Sequence, residues 1–72
     1  MLVLVAKHRK KLRMTQAELA RSAGVGQHTI SDIESGRHIH RVDVAVLVSR
    51  ALGRRVEDLF LVEPNERRLF DK

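Results

Sequence analysis

Two short amphipathic patterns, separated by a glycine-containing turn, occupy the middle of the first half of the chain. Residues 15–18 read Thr-Gln-Ala-Glu. In such a capping box, the Thr15 hydroxyl accepts from the Glu18 amide, while the Glu18 carboxylate accepts from the Thr15 amide. A helix is therefore predicted to begin here. Its inward positions are Leu19, Ala20 and Ala23.

A second helix is predicted immediately after a tight turn at residues 24–26. Gly24 can end the first helix because glycine adopts the left-handed conformation without a Cβ penalty. Gly26 can cap the next helix, although Ser or Asn would do so better. That helix is predicted to end at Gly36. Its buried positions are Ile30 and Ile33.

A further helix is predicted near the start of the chain. Apolar residues and one arginine share a helix face there at spacings of three, four and three. These positions are Leu2, Val5, Arg9 and Leu12. The β-branched residues at the start leave an extended conformation open for residues 1–5.

The second half of the chain predicts two more helices after a basic loop at residues 37–42. The strongest amphipathic stripe in the sequence predicts the first of them, which Gly53 closes. The stripe consists of Val44, Leu47, Val48, Ala51 and Leu52. The second is a short helix over Val56–Leu61, with Leu59 and Phe60 facing inward.

The helix after the turn has an outer face made of side chains that can form hydrogen bonds. These side chains are Gln27, His28, Ser31 and Asp32. Two helices joined by a tight turn fit a helix-turn-helix, in which the second helix lies in the DNA major groove. Gln pairs well with adenine, and a neutral His can donate or accept. We therefore predict base contacts from these four residues, although any exposed helix also has a polar face.

The chain has 72 residues, enough for one domain, with no Cys and a formal net charge of +5. Residues 1–41 contain eight Lys or Arg and three Asp or Glu, whereas residues 42–72 contain six of each sign. The whole excess of positive charge thus lies in the half of the chain that contains these two predicted helices. It is either a solvated basic face or an electrostatic footprint for phosphates. With two Phe and no Trp or Tyr, the chain has little material for stacking single-stranded bases.

The chain resembles the lambda-repressor-like, Cro-type helix-turn-helix family of DNA-binding regulators. The resemblance rests on MTQAELARSAGVGQHTISDIESGR and continues through RALGRRVEDLF, covering roughly residues 5–61. It implies an all-α, compact five-helix domain, usually dimeric, with the helix-turn-helix at helices 2 and 3. It also implies that the helix over residues 27–34 enters the major groove and that Gln16 contacts a phosphate. The full set of expected phosphate contacts is Gln16, Thr29, Arg37, His38 and Arg41.

Two charged residues fall on predicted buried faces, and each needs a partner. Arg9 lies on the inner stripe of the first helix, and Glu34 lies one turn after Ile30. Because an Arg and a Glu pair at the matching positions of this family, we infer a structural Arg9–Glu34 ion pair. The alternative is that both side chains extend to water without meeting.

The sequence departs from the family pattern at several positions. Gly26 replaces a frequent capping Ser, and His28 stands where Gln is common. Arg13 replaces a frequent turn Gly, His40 a frequent loop Pro, and Arg55 a frequent capping Ser. Of these departures, the one at His28 bears on which base is preferred.

Other classes of function have less support in the sequence. His38 and His40 could form a metal pair, but no Cys completes a structural site, so we expect no metal and no cofactor. An enzyme is not expected, because no catalytic Ser-His-Asp spacing or phosphate-binding Gly loop is present. The initial MLVLVA is too short to span a bilayer and lacks signal-peptide features, so a cytoplasmic location without membrane contact is expected.

We therefore predict a DNA-binding domain over residues 1–62 and a short C-terminal tail over residues 63–72, a possible dimer contact. The expected function is sequence-specific binding of double-stranded DNA, as a homodimer on a palindromic operator, to repress transcription. The alternative is an antitoxin-like or adaptor protein that binds a partner protein through apolar C-terminal residues. These residues are Leu61, Val62, Leu69 and Phe70.

Overall fold

The computed structural model of the protein describes residues 1–36 and 41–64. Within these ranges the chain forms five helices and two short strands, so the predicted all-α class is confirmed. The elements are β1 Leu2–Val3, α1 Val5–Lys11, α2 Gln16–Ala23, α3 Gln27–Glu34, α4 Val42–Leu52, α5 Val56–Leu59 and β2 Phe60–Leu61. None of the helices in these ranges is long and apolar enough to cross a membrane.

The boundaries of α2 follow the local signals in the sequence. The Thr15 hydroxyl accepts from the Glu18 amide at 3.0 Å, and the Glu18 carboxylate accepts from the Thr15 amide at 2.8 Å. Gly24 ends the helix with φ +77°. The Val25 amide then donates to the Ala20 carbonyl at 3.0 Å, which closes the turn toward α3. The predicted capping box and glycine turn are therefore confirmed.

One apolar core joins the helices. α2 packs against both α3 and α4, and α1 packs against α3. The fully buried large side chains come from all five helices and are Val5, Leu19, Ile30, Val48 and Leu59. The predicted inward residues of α2 and α3 are all buried. The core therefore fixes the angle at which α3 leaves the turn.

The first helix ends earlier than its apolar pattern predicts. α1 ends at Lys11. Leu12 lies beyond the helix, so it no longer shares the buried face, and it is 53% exposed. The chain then turns at Arg13, whose φ is +57°. The Met14 amide donates to the Arg9 carbonyl at 3.2 Å across this turn. Arg13 thus holds a left-handed conformation that glycine adopts more easily.

The buried face of α4 is rotated from the predicted stripe. Leu47 is 37% exposed, whereas Ala45 and Ser49 are buried. The Ser49 hydroxyl donates to the Ala45 carbonyl at 2.7 Å, so its polar group is satisfied inside the core. The buried face thus includes two small residues, which the predicted stripe of apolar side chains did not contain. The predicted end of the helix at Gly53 is confirmed by its φ of +65°.

The two ends of the described chain meet in a two-stranded antiparallel ribbon. Leu2 pairs with Leu61 and Val3 with Phe60. The helix predicted over Val56–Leu61 is therefore wrong in its last two residues, which leave the helix to pair with β1. Pairing also explains why Leu2 is 50% exposed, since it belongs to a strand rather than to the inner stripe of α1.

The apolar residues near the C-terminus are described only in part. Leu61 is half-buried and Val62 is 56% exposed. Leu69 and Phe70 lie outside the described residues, as does most of the range 63–72. The predicted domain boundary and tail contact therefore stay predictions.

Candidate nucleic-acid interface

The core orients α3 so that one face is buried and the other faces outward. Ile30 is fully buried and Ile33 is 3% exposed. The four predicted base-contact residues, Gln27, His28, Ser31 and Asp32, are all exposed. The structure thus brings these polar side chains together on one helix and leaves them accessible.

The first turn of α2 lies against the end of α3. The Gln16 side-chain amide donates from Nε2 to Oε1 of Glu34 at 2.9 Å. Gln16 and Thr29, both predicted phosphate contacts, are half-buried. The bond from Gln16 to Glu34 was not expected from the sequence, where Gln16 had only a predicted phosphate role.

Arg9 and Glu34 form the ion pair that the family resemblance implies. Arg9 Nε donates to Oε2 of Glu34 at 2.6 Å, and Nη2 donates to Oε1 at 3.1 Å. The third arginine nitrogen, Nη1, donates to the Met14 carbonyl at 2.7 Å. The side chains of the pair are only 11% and 7% exposed. This network links α1, the turn after it, α2 and α3, and it holds the end of α3 in place.

The charge of Glu34 is maintained against the cost of its burial. Burial raises the pKa of the Glu34 carboxyl, but the hydrogen bonds from Arg9 and Gln16 lower it. The positive charges of Arg9 and Lys10 lower this pKa further, and the outcome is a pKa below its ordinary value of 4.5. Glu34 is therefore an ionised hydrogen-bond acceptor at neutral pH.

The described residues of the basic half carry several exposed cations. Within residues 1–36, Arg9 is the cation that the network above holds, and the remaining Lys and Arg residues are exposed. These exposed cations are Lys7, Lys10, Lys11, Arg13 and Arg21. Only two exposed carboxylates, Glu18 and Asp32, oppose them in the same range. The described part of the basic half thus presents a net positive surface, as phosphate binding requires.

The loop after α3 is only partly described. Arg37, His38 and His40 lie outside the described residues. Arg41 is exposed and forms two hydrogen bonds to the Asp43 carboxylate, at 3.0 and 2.6 Å. The bond from Arg41 is the main reason that the pKa of Asp43 is lowered. The spacing Arg-x-Asp at the start of a helix is a sequence signal for the Arg41–Asp43 pair, which was not predicted.

The metal alternative named for His38 and His40 lies outside the described residues. Residues 1–36 and 41–64 contain no group of three or more His, Cys, Asp or Glu side chains that could hold an ion.

The outward polar helix, the tight turn and the supporting helix define a helix-turn-helix unit. The helix-turn-helix family matches residues 5–59, which is most of the chain, and the protein belongs to this family. A relative from Methanothermobacter thermautotrophicus is 42% identical over 64 residues, covering 88% of this chain and 93% of its own length. A relative from Archaeoglobus fulgidus is 36% identical, covering 86% and 89%. Both are named as uncharacterized HTH-type transcriptional regulators.

Proposed function

We propose that this helix-turn-helix protein is a DNA-binding transcriptional regulator that reads the major groove of double-stranded DNA through α3. The observation that carries the proposal is the outward polar face of α3, with Gln27, His28, Ser31 and Asp32 exposed above a fully buried Ile30. An α-helix fits the major groove, where each base pair presents a distinct set of donors and acceptors. The names of the relatives support the same class of function.

The phosphate contacts are proposed to come from both sides of α3. Gln16 begins α2, where helix amides and a partial positive charge favour an anion. A side-chain amide has two N–H donors, so the bond to Glu34 leaves one donor of Gln16 for a phosphate oxygen. Thr29, Arg37, His38 and Arg41 complete the proposed set. Arg41 must exchange Asp43 for a phosphate, and exposed ion pairs are weak enough to permit this exchange.

The protein is further proposed to act as a homodimer on a palindromic operator. α3 has eight residues and is therefore about 12 Å long, so it can contact only a few base pairs. A second copy on a symmetric half-site would double the number of base pairs read. Repression by blocking access of polymerase is the simplest mechanism for such a protein.

Selection of bound duplexes from a randomised pool tests the proposal. We expect an enriched palindrome whose half-sites are about 10 base pairs apart, or a multiple of that distance. Binding of the selected duplex should weaken steeply with salt, and Arg37→Ala should reduce the slope of log K against log salt by about 1. Binding that enriches no sequence at either of two salt concentrations would contradict sequence-specific regulation.

A further inference from the structure

Gly26, the residue before α3, is a glycine that the backbone does not require. Its φ of −75° and ψ of 152° are extended values that any residue adopts, unlike the φ of +77° at Gly24. The position is also the N-cap of α3, where Ser, Asn or Asp would accept a hydrogen bond from the first turn. Gly26 supplies no such bond. The backbone conformation therefore does not require this glycine, and at an N-cap Ser or Asn would serve better.

The imidazole of His28 occupies the space that a side chain at position 26 would need. A Cβ atom on residue 26 would lie 2.7 Å from Cε1 and 2.8 Å from Nδ1 of His28. It would lie 3.7 Å from Nε2. The two shorter distances are well inside van der Waals contact, so the ring and a Cβ cannot both be present as placed. The ring therefore rests over the glycine at the start of α3.

We propose that Gly26 is a positioning residue for DNA recognition, because it allows His28 to hold this orientation on the leading turn of α3. This inference rests on the proposed function, in which His28 contacts a base. The orientation of the imidazole decides where its two nitrogens present a donor and an acceptor to the edge of a base pair. Any side chain at position 26 must displace the ring, and those nitrogens move with it.

The fold should tolerate that movement. His28 is exposed, and its ring lies at the end of a side chain that can rotate. The backbone at position 26 accepts an L-residue without strain. A change at Gly26 should therefore alter base preference while the domain stays folded, although Gly26→Ala should lower its stability slightly because Ala caps a helix less well than Gly. Gly26→Ser should even stabilise the protein slightly, since Ser caps a helix better than Gly.

Four proteins test the proposal: the wild type, Gly26→Ala, His28→Ala and the double variant. Each is used to select duplexes from a randomised pool, and its affinity is then measured for the four bases at every position of the wild-type site. We expect Gly26→Ala and His28→Ala to reduce discrimination at the same base pair, by roughly five-fold. In the His28→Ala background, Gly26→Ala should cause no further change. Thermal unfolding followed by far-UV circular dichroism should show that Gly26→Ala and Gly26→Ser are folded.

The possible outcomes separate this inference from the proposed function. If the wild type selects no sequence, both fail together. If His28→Ala relaxes one base pair while Gly26→Ala keeps the wild-type preference, the positioning role is overturned and the proposed function stands. The positioning role is also overturned if Gly26→Ala lowers affinity equally for all sequences. It is overturned as well if Gly26→Ala still changes the base preference in the His28→Ala background.

Discussion

Arg9 and Glu34 meet through two roughly parallel hydrogen bonds, although 25 positions separate them in the sequence. The guanidinium and the carboxylate face each other in the bidentate arrangement that makes such pairs strong. Glu34 is the last residue of α3, where the helix dipole disfavours a negative charge. Arg9 compensates that charge and ties α1 to the end of the helix that carries the candidate base contacts.

Glu34→Ala should therefore destabilise the protein strongly. The substitution leaves Arg9 buried without a counter-charge, and removing one partner of a buried pair costs about 3 kcal/mol. The free energy of unfolding can be measured by urea titration followed by far-UV circular dichroism, since the chain has no Trp or Tyr for fluorescence. A loss below about 0.5 kcal/mol would show that the pair behaves as a surface contact.

A matched control for this prediction is available at the start of α4. Asp43 pairs with Arg41 in a similar two-bond geometry, but the side chains are 57% and 71% exposed. Asp43→Asn removes the charge and keeps an oxygen that can accept from the Val44 amide, as Asp43 does at 2.9 Å. This variant should unfold at nearly the urea concentration of the wild type, whereas Glu34→Gln should unfold at a clearly lower one.

Acid should weaken the fold partly through Glu34. The pKa of Glu34 is lowered in the folded protein from an ordinary value of 4.5, so the unfolded chain binds its proton more readily. The stability that this carboxylate contributes is present above the ordinary pKa and is lost as the pH falls through the lowered one. Between about pH 5 and pH 3, the wild type should thus lose more stability than Glu34→Gln. If the wild type and Glu34→Gln lose the same amount of stability, acid unfolding is caused by the other carboxylates, which both proteins retain.

The helix-turn-helix could be predicted from the sequence because its signals are local. Thr15 and Glu18 form their capping box within four residues, and Gly24 needs only its own backbone to end α2. The burial of Ile30 then follows from helical spacing. The two ends of α2 and the start of α3 were therefore placed correctly.

Local patterns did not predict features that depend on distant neighbours, and the Arg9–Glu34 pair was expected only because of the family resemblance. Phe60 leaves its helix because β1 offers it a partner 57 positions earlier, and no local pattern encodes that pairing. The burial of Ser49 depends on which face of α4 packs against the rest of the protein. Its hydroxyl is satisfied there by the Ala45 carbonyl of the same helix. The departures at Gly26 and His28 were noted one by one, but their dependence on each other is visible only in the position of the imidazole.

Replacing Arg13 with glycine should stabilise the protein. Arg13 has a φ of +57° in the turn after α1, and an L-residue pays about 1–2 kcal/mol in this conformation. Glycine avoids that cost but loses about 0.5–1 kcal/mol through its greater freedom in the unfolded chain. The expected net gain for Arg13→Gly thus lies between about 0 and 1.5 kcal/mol in the free energy of unfolding.

Arg13→Ala separates the conformational effect from the loss of a charge. Alanine keeps the Cβ atom and the strained φ, so it should show no comparable gain. If both variants were stabilised to the same extent, relief of charge repulsion among neighbouring cations would be the cause, and the conformational explanation would be wrong.

Gln27→Ala should weaken binding to the selected operator by about 1–3 kcal/mol and relax one base position. The reason is that the exposed amide of Gln27 lies on the first turn of α3, where it can donate and accept on a single base edge. Affinities for the operator and for its single-base variants, measured by titration at constant salt, test this expectation. An equal loss of affinity on random DNA would assign Gln27 to general docking instead.

Two exposed serines provide a matched comparison for the orientation of the whole helix. Ser31 lies on the outward face of α3, and Ser22 lies near the end of α2, outside the proposed base-contact set. Each Ser→Ala change removes one hydroxyl from an exposed helical position, so the two should affect folding alike. If α3 lies in the major groove, only Ser31→Ala should lower discrimination among bases, because one lost base contact alters a single position of the site. Equal effects of the two variants on operator binding, measured in the same titrations, would mean that Ser31 makes no base contact.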